Sequence, residues 1–71
     1  MERGTVKWFD GQKQYGFITP DGGKKDIFVH ATDVNTLDKN LETGDRVEYE
    51  IGEGPKGPQA KGVQLLQEEQ G

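Results

Sequence analysis

The chain has 71 residues, no cysteine and a formal net charge of −4. A chain of this length forms one domain with a thin core, and without cysteine it has no disulfide or thiolate metal site to strengthen that core. A disulfide-rich secreted scaffold is therefore excluded, and no apolar run approaches the roughly 18 residues that a membrane helix requires. We expect one cytoplasmic domain over residues 1–71, with a frayed tail at 67–71 and no membrane contact.

The net charge hides an uneven distribution along the chain. Residues 1–31 carry five Lys or Arg against four Asp or Glu, whereas residues 32–71 carry four against nine. Phosphate binding depends on cations, so the overall charge argues against a nucleic-acid partner. The first half of the chain is nevertheless not acidic, and an acidic remainder can keep a protein soluble without contacting its ligand.

Five short strand-like runs, each bounded by turn residues, lie near 4–10, 15–19, 26–30, 46–51 and 59–66. No segment shows a sustained helical period, and the turn chemistry at Asp10–Lys13 and Pro20–Lys25 predicts an antiparallel meander for the first three strands. A long connection follows from Ala31 to Asp45, with room for one short helical turn. This pattern predicts an all-β fold, a five-stranded antiparallel barrel of the OB type, with an SH3-like barrel as the competitor that periodicity cannot separate.

Alternation along the strands predicts which residues form the core. In the fourth strand, Val47, Tyr49 and Ile51 point inward because charged residues separate them. The fifth strand is less regular, and its expected contributions are Ala60, Val63 and Leu65. The first three strands add Val6, Ile18, Ile27 and Val29.

The second and third strands separate rings from aliphatic residues. Tyr15 and Phe17 share one face of the second strand, and Phe28 and His30 share one face of the third. The aliphatic residues on the opposite faces can build a core by themselves. We therefore expect these four rings on a surface.

Trp8 in the first strand is harder to place. A single Trp in a small domain is more often buried than exposed. Burying Trp8 together with Tyr15, Phe17 and Phe28 would overfill so small a barrel, so some of these rings must lie outside, and an exposed aromatic cluster marks a binding site. Such rings stack on unpaired bases, and the flanking Lys7 and Lys13 can meet the phosphates.

Other motifs carry less information. The run from Gly52 to Gly57 satisfies the dinucleotide-binding pattern G-x-G-x-x-G, but Pro55 and Pro58 prevent the helix that this motif must open, so it reads as a hairpin loop. His30 is the only histidine, and no cysteine is present, so we expect no metal site, no cofactor and no catalytic role. Lys24 and Lys25 read as solvated loop charges.

Four runs of residues together resemble the cold-shock domain family. Lys13–Ile18 resembles its first ribonucleoprotein motif and Ile27–His30 its second, while Gly4–Phe9 and Gly57–Ala60 resemble two further signatures. They occur in the family's order and spacing over essentially the whole chain. The resemblance implies an OB-type barrel that binds single-stranded RNA and DNA with little sequence preference and acts as an RNA chaperone. It also implies ligand contacts at or near Lys7, Trp8, Lys13, Tyr15, Phe17, Asp26, Phe28, His30, Lys56 and Gln59.

Three departures from the family pattern affect the expected binding. Gln14 stands where the family usually has glycine, which would cost about 1–2 kcal/mol if that position needs a positive φ. Ala31 replaces a frequent aromatic residue, and the loop at Leu37–Lys39 lacks a frequent phenylalanine. We therefore predict weaker binding than in relatives with more rings, by roughly 1–3 kcal/mol for each missing stacking site.

The leading hypothesis is a non-enzymatic protein that binds single-stranded RNA and single-stranded DNA, favours pyrimidine-rich strands and acts as a monomer. The alternative is an SH3-like barrel whose aromatic groove binds an extended or Pro-rich peptide. The salt dependence of affinity distinguishes the two hypotheses. Phosphate binding weakens as ionic strength rises, whereas binding of a peptide in an aromatic groove depends little on it. An enzyme would need a catalytic constellation that the sequence does not show.

Overall fold

The computed structural model describes residues 1–23, 25–36, 40–55 and 57–66. It contains one 3₁₀ turn at Ala31–Asp33 and five strands, β1 Glu2–Asp10, β2 Tyr15–Pro20, β3 Ile27–His30, β4 Arg46–Gly54 and β5 Gly57–Leu65. The five predicted strands and the short helical turn are thereby confirmed. The expectations for Lys24, Leu37–Lys39, Lys56 and the tail at 67–71 lie outside the described residues. Within the described part of the chain, no helix is long and apolar enough to cross a membrane.

The strands close into a barrel in the order β1-β2-β3-β5-β4. The predicted meander is confirmed, because β1–β2 and β2–β3 are antiparallel, as are β1–β4 and β4–β5. The closing pair β3–β5 is parallel, with Phe28 opposite Gln59 and Val29 opposite Ala60. An odd number of strands in a closed ring cannot alternate in direction at every pair, so the predicted antiparallel barrel is confirmed with this one parallel pair.

The core is small and almost entirely aliphatic. Most of the predicted inward residues are buried, and Val34 and Leu41 from the long connection join them. The buried residues that form one hydrophobic cluster are Val6, Ile18, Ile27, Val29, Val34, Leu41, Val47, Tyr49, Ala60 and Val63, with Phe9 packed against it.

Two of the predicted core residues, Ile51 and Leu65, are exposed instead, by 50% and 43%. The last pair between β1 and β4 joins Glu2 to Tyr49, so β4 runs past its neighbour before it reaches Ile51. At the other end of the barrel, Leu65 is the last residue of β5 and has a strand neighbour only on the β4 side. Alternation predicted the direction of these side chains but not that the barrel would end beside them.

A bulge in β1 separates Val6 from Trp8. Val6 pairs with Ile18 and Trp8 pairs with Phe17, so Lys7 is an extra residue on the β1 side. In a regular strand without this bulge, Trp8 would point to the same face as Val6, into the core. With it, Trp8 points outward on the same face as Phe17, and Phe9 takes the inward position.

The loop from β1 to β2 depends on an unfavourable conformation at Gln14. Its φ is 64°, the one positive value among the described non-glycine residues. The loop is otherwise well bonded: the Gln14 N–H donates to the Asp10 carbonyl at 2.7 Å, and the Asp10 carboxylate accepts the N–H groups of Gln12 and Lys13. The position where the resemblance predicts glycine therefore does lie in the left-handed region.

Replacing Gln14 with glycine is expected to raise the free energy of unfolding by about 1 kcal/mol, because glycine adopts positive φ without steric cost. Urea denaturation monitored by far-UV circular dichroism measures the change. Gln12→Gly is the matched control, because Gln12 is exposed in the same loop without positive φ. In Gln12→Gly, glycine should only increase the conformational entropy of the unfolded chain and so slightly lower the free energy of unfolding. An increase of equal size in both variants would contradict the role given to φ at Gln14.

Candidate nucleic-acid interface

Four aromatic side chains form a closed cycle on the outer face of β1, β2 and β3. The ring centroids lie 5.3 Å apart for Trp8 and Phe17, 5.8 Å for Phe17 and Phe28, 5.7 Å for Phe28 and Tyr15, and 5.6 Å for Tyr15 and Trp8. Neighbouring planes are tilted or perpendicular, so the rings touch through edges and none is stacked face to face on its neighbour. Trp8 is 37% exposed and the other three are half-buried. We call these four residues the aromatic platform.

Strand pairing holds the platform in place. Phe17 lies opposite Phe28, and the β1 bulge brings Trp8 opposite Phe17. Phe17 and Phe28 are half-buried on the outer face of the sheet, while their strand neighbours Ile18 and Ile27 are buried on the inner face. The structure therefore brings Trp8 together with Tyr15, Phe17 and Phe28, three of the four rings that alternation places on a surface, in an arrangement that can receive flat ligands.

His30 extends the platform at one end, opposite Tyr15. Its Nδ1 accepts the Thr32 N–H at 3.2 Å and lies 3.1 Å from the Thr32 hydroxyl, which caps the 3₁₀ turn. Because Nδ1 is the acceptor, the neutral ring carries its proton on Nε2. The half-buried imidazole is thus held in a fixed orientation beside Tyr15.

A polar cluster borders the platform next to Phe17 and Phe28. The Lys7 ammonium donates to Asp26 Oδ2 at 2.8 Å, and the Thr19 hydroxyl donates to Asp26 Oδ1 at 3.1 Å. The hydrogen bonds from Lys7 and from Thr19 lower the pKa of the Asp26 carboxyl group, so it is ionised at neutral pH. Lys7 is therefore near the rings, as the sequence predicts, but its charge is already shared with Asp26.

Lys13 lies in the β1–β2 loop, two residues before Tyr15, and its side chain is exposed. It forms no ion pair with any residue that the structure describes, so its ammonium group is available to a phosphate at the edge of the platform. Lys25 is also exposed and lines a cavity of about 470 Å³ at the barrel end, beside Ile51. The contribution expected from Lys56 stays a prediction.

Gln59 lies beside the platform but is buried, with 7% of its surface exposed. Its Nε2 donates to Asp33 Oδ2 at 2.7 Å, and the Lys61 ammonium lies 3.7 Å from the same oxygen. These side chains line a cavity of about 340 Å³ whose walls include Phe28, His30 and Pro55. We call this cavity the Asp33 pocket.

The sequence gives no sign of Asp33 and Lys61 as site residues. They meet only because the chain after the 3₁₀ turn lies along β5, where Val34 forms a parallel bridge with Val63 and the Asn35 N–H donates to the Val63 carbonyl at 2.7 Å. This contact depends on the path of the long connection, which sequence periodicity does not predict. Ala31, which starts the turn, is buried and adds no ring, so the weaker binding expected from a smaller platform stays a prediction.

Comparisons with known proteins agree with this architecture. The family model described as "'Cold-shock' DNA-binding domain" matches residues 2–66. The chain is 52% identical to "Probable cold shock protein A" of Mycobacterium tuberculosis over 67 residues, which cover 93% of this chain and 100% of that protein. It is 49% identical to "Cold shock-like protein CspA" of Bordetella pertussis, with the same coverage of both chains.

A solved structure supports the fold independently of close sequence similarity. The barrel matches the structure titled "drosophila Unr CSD456" with a TM-score of 0.77 and 23% identity, covering 93% of this chain and 26% of that one. The chain thus corresponds to about a quarter of that larger structure. The resemblance of the four sequence motifs is confirmed, and the SH3-like alternative is not supported. Barrel order, aromatic platform and sequence similarity agree: the chain belongs to the cold-shock domain family.

Proposed function

We propose that this protein binds unpaired segments of RNA and DNA by stacking their bases on the aromatic platform. The observation that carries the proposal is the closed cycle of four half-exposed rings on the outer face of β1–β3. A contiguous patch of rings that are not needed in the core exposes apolar surface to water, and such patches mark sites that a ligand covers. A stacked base contributes roughly 1–3 kcal/mol without demanding a particular sequence.

The platform selects for single strands. Bases within a duplex already stack on one another and cannot reach a protein ring, whereas unpaired bases expose their faces. Each strand that is held unpaired is removed from re-pairing, so binding melts weak RNA structure by mass action. This is the chemistry of an RNA chaperone, and it needs no catalytic group.

The charge near the platform limits affinity and makes it sensitive to salt. Among the cations that the structure describes, Lys13 is best placed for a phosphate, and Lys7 can reach one only by loosening its contact with Asp26. We further propose that the protein acts as a monomer in a reducing cytoplasm and favours pyrimidine-rich strands, as the family resemblance implies. A heptamer of dT is therefore the first ligand to test.

Titration with a dT heptamer at low salt is expected to quench the fluorescence of Trp8, the only Trp in the chain. Light scattering on the same samples reports stoichiometry and oligomeric state. The absence of any quenching at tens of micromolar strand would refute the proposed function.

Replacing Lys13 with glutamine is expected to lower the slope of log affinity against log salt by about 0.7, the value for one phosphate contact on a single strand. The same dT titration at several salt concentrations measures it. Arg3→Gln is the control of equal charge change, because Arg3 lies on the β1–β4 side and pairs with Glu48. A slope near zero in the unsubstituted protein would show that the strand is bound without phosphate contacts and would contradict the role given to Lys13.

A further inference from the structure

The Asp33 pocket opens beside His30 and Phe28, so a base stacked at that end of the platform brings one edge to it. The pocket wall carries a carboxylate, an amide and an ammonium group, from Asp33, Gln59 and Lys61. Rings alone would leave this end of the site indifferent to base identity. These polar groups are able to read a base edge.

The hydrogen bonds already made determine what the pocket can still accept. Asp33 Oδ2 receives the Gln59 amide and lies near the Lys61 ammonium, whereas Oδ1 receives no hydrogen bond from a described residue. Gln59 Oε1 likewise has no donor among the described residues. The Asp33 side chain is 18% exposed and lines the pocket, so its carboxylate group is largely shielded from bulk water.

We infer that Asp33 makes this pocket selective for a base that presents N–H donors, with guanine as the best match. The inference rests on the proposed function. An ionised carboxylate can only accept hydrogen bonds, and the paired edge of guanine offers its ring N–H and its amino group side by side. Thymine and uracil offer only one ring N–H on this edge, between two carbonyl oxygens that would face the same carboxylate unfavourably.

The charge of Asp33 does not prevent phosphates from passing nearby. The Lys61 ammonium lies 3.7 Å from Oδ2 and is 41% exposed, so the pair is close to neutral for a backbone outside the pocket. Gln59 is buried and its amide donates to Asp33 Oδ2, which holds the Asp33 carboxylate in one orientation. The pocket therefore adds selectivity at one base within a strand that the platform otherwise binds without sequence preference.

The test uses dT heptamers in which a single dG is moved through the seven positions. At the best position, dG is expected to bind about tenfold more tightly than dT, the effect of one added hydrogen bond to a charged acceptor. Deoxyinosine at the same position lacks only the amino group and should lose most of that gain. Trp8 fluorescence reports all three affinities.

Asp33→Asn provides a second, directional measurement. The new amide oxygen would keep the bond from Gln59, and the amide nitrogen would replace the free carboxylate oxygen, which turns an acceptor into a donor. The advantage of dG over dT is expected to disappear or reverse. Asp21→Asn is the matched control, because Asp21 is also ion-paired, to Arg46, but lies away from the pocket and should leave the advantage unchanged.

If the unsubstituted protein binds heptamers with dG, deoxyinosine or dT equally well at every position of the heptamer, the inference is overturned. This comparison does not depend on the folding of any variant. An undiminished dG advantage in Asp33→Asn would also overturn it, because the selectivity would then come from another group. If dT heptamers bind and only the selectivity is missing, the proposed function stands without the inference. If no heptamer binds, the proposed function itself is refuted.

Discussion

Replacing Phe17 or Phe28 with alanine is expected to weaken binding of a dT heptamer by about tenfold or more, since one stacked base contributes roughly 1–3 kcal/mol. Both rings are half-buried and neither belongs to the buried core cluster. Truncation to alanine therefore removes a stacking surface for the ligand and leaves the aliphatic core complete. The fold should therefore survive. Fluorescence titration measures affinity, and thermal unfolding of the same samples checks the fold.

Leu65→Ala is the matched control for these truncations. Leu65 is a large, 43% exposed apolar residue opposite Val47, on the side of the barrel away from the platform. Its loss should affect stability slightly and leave affinity unchanged. If Phe17→Ala or Phe28→Ala unfolds the protein at room temperature, those rings belong to the core and the platform interpretation is wrong.

The strands and most of the core could be predicted because alternation is a local property. Val6, Ile18 and Val29 lie inward for the same reason that Phe17 and Phe28 lie outward: side chains alternate across a strand. Alternation fails where a single residue changes the register. Trp8 is the clearest case, because only the bulge at Lys7 turns it outward, whereas core volume indicated only that some of the rings lie outside.

Features that depend on chain ends and long-range contacts were not predictable. Ile51 has the pattern of a core residue but lies beyond the last pair between β1 and β4, a fact about strand lengths in the closed barrel. Asp33 joins Gln59 only through the path of the long connection. Gln14 shows the opposite situation, since the family pattern singled out this position and the structure shows its positive φ.

Gly16 is where the platform and the barrel depend on each other most directly. It lies between Tyr15 and Phe17 but faces inward, and it pairs with Phe9 just after the β1 bulge. A Cβ atom at this position would lie 2.7 Å from the Phe9 Cα and even closer to the Trp8 carbonyl oxygen. Only glycine allows the two backbones to approach so closely.

Replacing Gly16 with alanine is expected to lower the free energy of unfolding by about 3 kcal/mol, because backbone atoms of β1 must move to admit the methyl group. Urea denaturation measures the loss. Gly11→Ala is the control: its Cβ would meet only the end of the Asn40 side chain, 3.2 Å away, so a change within about 0.5 kcal/mol is expected.

The displacement caused by Gly16→Ala should also reach the ligand site. Trp8 and Phe17 are in contact, with ring centroids 5.3 Å apart, and the bulge that brings them together packs directly against Gly16. Wherever the variant remains folded, its affinity for dT heptamers should therefore fall as well. Equal stability of Gly16→Ala and Gly11→Ala would contradict the close approach of β1 and β2, and with it the explanation for why Trp8 faces outward.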